Sequence, residues 1–136
     1  SQHSASPADD LAEGGTERIL FVDDEAAIAE MTGRILERLG YTVEVQTNPL
    51  TALNRVGEMP AGYDVLITDL TMPGMSGLEL AEKAKGFSPD LPIIVCTGHS
   101  QGVNEEMTSG RDIDICLVKP VSKAELSAAI RRVLAQ

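Results

Sequence analysis

Short strand-like segments alternate with stretches of helical periodicity along most of the chain. The strand-like segments lie at 19–22, 42–46, 63–68, 92–96 and 113–118. Short apolar runs of this kind are typical of strands that are buried on both faces of a parallel sheet. Between them, apolar residues recur every three or four positions, as on the buried side of an amphipathic helix. The pattern predicts five successive βα units, of which the helix at 100–110 is the weakest.

Residues with strong local preferences mark the ends of the predicted helices. Gly40 closes the first helix, and Asn48 followed by Pro49 opens the second. A Ser followed three residues later by a Glu starts the third helix and the last one, at Ser76 and Ser122. Alternating strands and helices imply a parallel sheet with helices on both faces. Right-handed crossovers then favour a doubly wound α/β three-layer sandwich.

The chain of 136 residues suits one compact domain. Residues 1–16 are rich in Ser, Ala, Asp and Gly and have no apolar period, so we interpret them as a flexible linker or tail. The globular domain is predicted to span 17–136.

The charge balance is acidic, with 21 Asp and Glu against 11 Lys and Arg and a formal net charge of -10. This charge repels nucleic-acid phosphates and anionic lipids, so neither is expected as a direct partner. No apolar run reaches the ~20 residues that a membrane-spanning helix needs. Cys96 and Cys116 lie in apolar runs without metal or redox spacing, and we expect both to be reduced. These features predict a cytoplasmic location.

Four of the predicted strands end in a polar residue directly after an apolar run. These residues are the pair Asp23-Asp24, then Asp69, Thr97 and Lys119. Ligands of open parallel sheets bind at the carboxyl ends of the strands, so the topology predicts that these side chains meet there. Adjacent carboxylates repel, and a hard divalent cation such as Mg²⁺ relieves the repulsion. A cation, a lysine, a hydroxyl and a central carboxylate nucleophile together suit phosphoryl transfer.

With these strand-end residues, the chain resembles the receiver domains of bacterial two-component response regulators. The similarity runs from about Arg18 to Leu134, nearly the whole chain after the tail. The motifs that carry it are Asp23-Asp24, the stretch Asp69-Leu70-Thr71-Met72-Pro73 followed by Gly77, then Thr97-Gly98, and finally Lys119-Pro120. The resemblance implies a flavodoxin-like fold with a five-stranded parallel sheet in the order 2-1-3-4-5.

The resemblance also implies the roles of the acidic residues. Asp69 is expected to be the phosphoacceptor. Asp24, Asp69 and the backbone carbonyl of Thr71 are expected to hold Mg²⁺ or Mn²⁺, with Asp23 assisting. The phosphoryl donor is expected to be a histidine kinase or a histidine phosphotransfer domain.

The remaining family motifs imply contacts to the phosphoryl group. Thr97 is expected to hydrogen-bond it and Lys119 to pair with it, and the peptide bond before Pro120 is expected to be cis. One departure stands out, because receivers commonly carry Tyr or Phe three residues before the lysine, where this chain has Cys116. We expect the domain to signal without the usual aromatic switch and to be a monomer.

The sequence ends after the last predicted helix, which fits a stand-alone receiver or the C-terminal receiver of a hybrid sensor histidine kinase. The linker-like N-terminus favours the hybrid.

Other interpretations stay open. Asp23 and Asp24 could cap the first helix, with or without a metal role. The alternatives in function are an aspartate-nucleophile phosphatase-type enzyme, a flavodoxin-type electron carrier and a degenerate receiver used only for docking. We expect no enzymatic activity beyond the domain's own phosphorylation and dephosphorylation.

Overall fold

The computed structural model describes residues 12–98 and 112–135. Within this part of the chain, five strands form one parallel sheet in the order β2-β1-β3-β4-β5. The strands are β1 (Arg18–Val22), β2 (Thr42–Gln46), β3 (Val65–Asp69), β4 (Ile93–Thr97) and β5 (Ile115–Val118). The predicted strand order is therefore confirmed. The order reverses between β1 and β3, and this reversal creates a crevice at their carboxyl ends.

Helices cover both faces of the sheet. The described helices are α1 (Ala26–Arg38), α2 (Pro49–Glu58), α3 (Gly77–Phe87) and α4 (Lys123–Leu134). The apolar residues of α1 and α4 pack on one face together with Ile19 and Phe21. Those of α2 and α3 pack on the other face with Leu20 and Val22. Successive strand residues thus serve opposite cores, which confirms the three-layer sandwich. The helix predicted at 100–110 lies outside the described residues.

The predicted caps set the helix boundaries. The Asn48 side chain accepts hydrogen bonds from the Leu50 and Thr51 backbone N–H groups at 2.8 and 3.4 Å. Ser122 and Glu125 form a complete capping box, with bonds of 3.0 and 2.9 Å. Ser76 makes only the forward half of such a box, accepting from the Glu79 N–H at 3.1 Å.

Gly40 ends α1 in the left-handed conformation, with φ of 103°. Its N–H donates to the Glu37 carbonyl at 2.9 Å, and the Tyr41 N–H donates to the Leu36 carbonyl at 3.2 Å. This pair of bonds is the Schellman arrangement, which favours glycine at the position with positive φ.

β3 and β5 begin two residues later than predicted, and an aspartate explains each delay. Asp64 precedes β3, and its carboxylate accepts the N–H of Arg18, the first residue of β1, at 2.8 Å. Asp114 precedes β5 and accepts the N–H of Ile93, the first residue of β4, at 2.8 Å. Each aspartate thereby satisfies a backbone donor at the start of the neighbouring strand.

The segment 12–17 has no helix or strand, but it contacts the domain. The Gly15 N–H donates to the Leu39 carbonyl at 3.2 Å, and Glu17 pairs with Arg131 of α4 at 2.8 Å. The Ser127 hydroxyl donates to the Glu13 carbonyl. The predicted boundary at residue 17 therefore falls within a stretch that packs against α4.

Candidate functional site

The carboxyl ends of β1 and β3 bring three carboxylates together. Asp23 and Asp24 follow β1, and Asp69 is the last residue of β3. Oxygen atoms of the three side chains lie within 4.8 Å of one another. Because β1 and β3 are neighbours at the point where the strand order reverses, residues 45 positions apart become adjacent. The expected carboxylate cluster is present at the expected edge of the sheet.

Lys119 connects two of these carboxylates. It follows β5, and its Nζ lies 2.9 Å from Asp69 Oδ1 and 3.3 Å from Asp23 Oδ2. Burial opposes the charge on the ammonium, but the hydrogen bond that Lys119 donates to Asp69 and the charges of Asp23 and Asp69 outweigh burial and raise the pKa of Lys119. The lysine is therefore charged at neutral pH and offsets part of the acidic cluster.

Asp23 performs two tasks at once. Its Oδ1 accepts the Glu25 backbone N–H at 2.9 Å at the start of α1, while its Oδ2 faces Lys119. Asp23 is 1% exposed. This bond holds the turn that leads into α1 rather than an N–H group within the helix, and it coexists with membership of the carboxylate cluster. Glu25 is the residue at the N-cap position of α1, and its own side chain caps nothing.

Thr97 closes the site on the side of β4. It is the last residue of β4 and is 1% exposed. Its carbonyl accepts the Lys119 N–H at 2.7 Å, so the ends of β4 and β5 are tied together where the chain turns toward the carboxylates. The Lys119–Pro120 peptide bond is cis, as the resemblance implied.

Thr71 lies on the loop between β3 and α3 and is exposed. Backbone hydrogen bonds fix the loop at both ends. The Leu70 N–H donates to the Cys96 carbonyl at 2.8 Å, and the Gly77 N–H donates to the Leu70 carbonyl at 2.7 Å. The loop therefore leaves and rejoins the end of the sheet beside the backbone of Asp69 and Leu70.

An apolar cavity adjoins the charged cluster, and sequence reasoning missed it. The cavity measures about 390 Å³, and Asp23, Asp69 and Lys119 line one part of it. Its other walls include Phe21, Ile28, Met31, Cys96, Val121 and Leu126. Met31 of α1 is apolar and lines this cavity, but its 57% exposure is seen only in the structure, so the sequence alone carries no signal for the cavity. The cavity extends the charged site along the space between α1 and α4.

The two cysteines have different surroundings. Cys96 is buried beside Asp69, and burial raises the pKa of its thiol to about 12, so it is inert as a nucleophile at neutral pH. Cys116, where an aromatic residue was expected from the family, is half-buried in β5, packs against the core on the α2 and α3 face, and has its pKa raised by burial. Cys96 and Cys116 do not form a disulfide bond.

The donor set fits a hard divalent cation. Oxygen atoms of the three carboxylates lie close enough together to bind one ion, and the described cluster contains no Cys or His. Oxygen donors of this kind suit Mg²⁺ or Mn²⁺ rather than softer metals.

The sequence matches the family described as the response regulator receiver domain over residues 19–131. Because this match covers most of the chain, the protein belongs to the family of response regulator receiver domains. The family is a signalling module, and its phosphoacceptor role is consistent with the acidic cluster. Within the described residues, no helix combines the length and the apolar character that crossing a membrane would require.

Curated relatives contain this domain in proteins of different sizes. The chain is 37% identical over 120 residues to response regulator MprA of Mycobacterium tuberculosis, covering 86% of this chain and 50% of MprA. It is 34% identical over 118 residues to response regulator receiver protein CpdR of Brucella abortus, covering 86% of this chain and 96% of CpdR. It is 36% identical over 104 residues to sensor protein EvgS of Escherichia coli, covering 76% of this chain and 8% of EvgS. The chain thus spans about half the length of several curated relatives it matches.

Solved structures confirm the fold. The response regulator protein TrrA of Thermotoga maritima, determined in complex with Mg²⁺-BeF, superimposes with a TM-score of 0.76 at 32% identity. The alignment covers 88% of this chain and all of TrrA.

Proposed function

We propose that this receiver domain accepts a phosphoryl group from a phosphohistidine onto Asp69. The observation that carries the proposal is the position of the Asp69 carboxylate. One of its oxygen atoms lies within 4.8 Å of oxygens of Asp23 and Asp24, and Lys119 donates to it at 2.9 Å. The Asp69 side chain is 12% exposed. The donor would be a histidine kinase or a histidine phosphotransfer domain, which fits the family of response regulator receiver domains.

In the proposed step, an Asp69 carboxylate oxygen attacks the phosphorus atom of the phosphohistidine. A P–O bond forms, the P–N bond breaks, and its electron pair leaves with the imidazole nitrogen. Lys119 bonds Oδ1 of Asp69, so we assign the attack to Oδ2. The Lys119 ammonium then offsets negative charge on the transferred group, and the Thr97 hydroxyl donates a hydrogen bond to it.

A divalent cation belongs to the same proposal. Asp23, Asp24, Asp69 and the Thr71 carbonyl would hold Mg²⁺ or Mn²⁺, in agreement with the oxygen donor set. When bound, the cation neutralises charge on the phosphoryl oxygens and the carboxylates.

The larger protein, its compartment and its assembly are also proposals. We infer a cytoplasmic, monomeric module, since two cysteines that are not joined in a disulfide suit a reducing compartment. The interpretation as part of a hybrid sensor kinase is supported by the match of this chain to a small part of EvgS. The match to nearly all of CpdR favours a stand-alone receiver instead.

Intact-mass spectrometry tests the central proposal. The protein is incubated with a small phosphodonor and Mg²⁺, and we expect one added phosphoryl group in the wild type and none in Asp69→Asn. Asp90→Asn is the matched control, because Asp90 is exposed in a loop away from the cluster. Labelling of Asp69→Asn at the wild-type level would refute the assignment. Continuous release of phosphate in many turnovers would instead favour the phosphatase-type alternative, and an unlabelled wild type would favour the docking-only receiver.

A further inference from the structure

We propose that Thr68 is a positioning residue for the loop that follows Asp69. Its hydroxyl fixes the Asp69 carbonyl, and with it the peptide from which the chain runs to Thr71. This inference rests on the proposed function, in which the Asp69 carboxylate and the Thr71 carbonyl belong to one site.

The surroundings of Thr68 make its hydroxyl unusual. Thr68 is fully buried, and its register partners on the two neighbouring strands are Val22 and Val95. A valine would fill the same volume, and a buried hydroxyl is unfavourable unless it forms a hydrogen bond. The bond it forms is directed at the site, because Thr68 Oγ1 donates to the carbonyl oxygen of Asp69 at 2.9 Å.

The start of α3 presses against the same carbonyl. A Cβ atom built on Gly77 would lie 2.3 Å from the Asp69 carbonyl oxygen and 3.1 Å from Leu70 Cα. A side chain at this position would therefore displace the peptide that joins Asp69 and Leu70. Together with the two backbone bonds of Leu70, the contacts from Thr68 and Gly77 surround this peptide and determine its orientation.

The orientation of this peptide matters for one side of the site only. Rotating it would move Leu70 and then the Thr71 carbonyl, which is one residue further along the loop. Asp23 and Asp24 follow a different strand and would keep their places. Losing the Thr68 hydroxyl should therefore weaken cation binding and slow phosphoryl acceptance without unfolding the domain.

Two substitutions separate the hydroxyl from the shape of the side chain. Thr68→Val keeps the shape and removes the donor, and we expect it to raise the Mg²⁺ dissociation constant about 3- to 10-fold, the range typical of one lost hydrogen bond. Thr68→Ser keeps the donor and loses a buried methyl group, so we expect a lower melting temperature with Mg²⁺ affinity close to that of the wild type. Affinity is measured by isothermal titration calorimetry, and stability by thermal unfolding without Mg²⁺.

The matched control is Val95→Ala, which removes buried apolar volume next to Thr68 but leaves the hydroxyl in place. It should lower the melting temperature and leave Mg²⁺ affinity unchanged. If affinity falls in step with melting temperature across all three variants, or if Thr68→Val binds Mg²⁺ like the wild type, the positioning role is wrong. If the wild type binds no Mg²⁺, or if Asp69→Asn binds it equally well, the cation site of the proposed function fails first and the inference fails with it.

Discussion

Glu44 should make the domain sensitive to acid, because it is the centre of a polar network on the edge strand β2. Its carboxylate accepts from Arg55 Nε at 3.0 Å, from the Tyr63 hydroxyl at 2.7 Å and from Gln46 at 2.9 Å. The Arg55 hydrogen bond is the largest influence, and it outweighs burial, which acts in the opposite direction. Together with the other donors, it lowers the pKa of Glu44 from its usual 4.5 to about 2.

A lowered pKa in the folded state means that the ionised carboxylate stabilises the fold. The contribution is fully present above the unfolded-state value near 4.5 and is lost as the pH falls toward 2. At about 1.4 kcal/mol per pKa unit, the stabilisation at pH 7 is about 3 kcal/mol. The side chain of Arg55 is 34% exposed, so solvent screening reduces this figure, and we expect about 2 kcal/mol.

The test compares the wild type with Glu44→Gln, which keeps the shape and removes the charge. Urea unfolding at pH 7, 5 and 3 gives the free energy of unfolding of each protein. We expect the difference between them to be about 2 kcal/mol at pH 7 and 5, and to fall to less than half of that at pH 3. Other acidic groups contribute equally to both proteins and cancel in the difference. A difference that stays constant between pH 7 and pH 3 would refute the reasoning.

Two further predictions concern the metal site and the glycines. Mg²⁺ should raise the melting temperature of the wild type, as a ligand of the folded state does, and calorimetry of Asp24→Ala should show little of this increase; an equal response would place the site elsewhere. Gly14→Ala should lower the free energy of unfolding by about 1–3 kcal/mol, because its Cβ would lie 1.9 Å from the Leu39 carbonyl oxygen. A Cβ atom at Gly86 of α3 would have no neighbour within 4 Å, so Gly86→Ala should raise the free energy of unfolding by up to about 1 kcal/mol. The opposite ranking in urea unfolding would mean that the segment 12–17 does not dock as described.

The sheet and the charged site could be predicted because both depend on patterns that are local in sequence. Each buried strand is a short apolar run, and each site residue stands directly after one. The parallel topology then determines that Asp69, Thr97 and Lys119 lie at the same edge. Caps such as Asn48 follow from a preference that operates within three residues.

Other features depend on which residues of distant elements meet, and single-sequence patterns do not contain that information. The cavity combines Ile28 of α1 with Val121 and Leu126 from the other end of the chain. Glu44 stands in the middle of a strand, and nothing near it in the sequence indicates that Arg55 and Tyr63 enclose it. Such features require side-chain packing, which follows from the fold rather than from periodicity.

The direction of the strands explains which aspartates are available for chemistry. Asp64 and Asp114 also border strands, but they precede them, and each carboxylate accepts the first backbone N–H of a neighbouring strand. Asp69 ends its strand, and its carboxylate oxygens are directed at Lys119 and the other acidic side chains instead of a described backbone donor.

In a parallel sheet, all strands begin at the same end of the sheet and finish at the opposite end. Whether an aspartate precedes or follows its strand therefore divides the aspartates into two groups, one at the amino edge and one at the carboxyl edge. Those at the amino edge complete the backbone hydrogen bonding of the sheet. Those at the carboxyl edge face one another, and their repulsion is relieved by Lys119 and, in the proposed function, by a cation. An aspartate before an apolar run is therefore predicted to complete backbone hydrogen bonds, and an aspartate after such a run is predicted to belong to a functional site, although the local composition is the same.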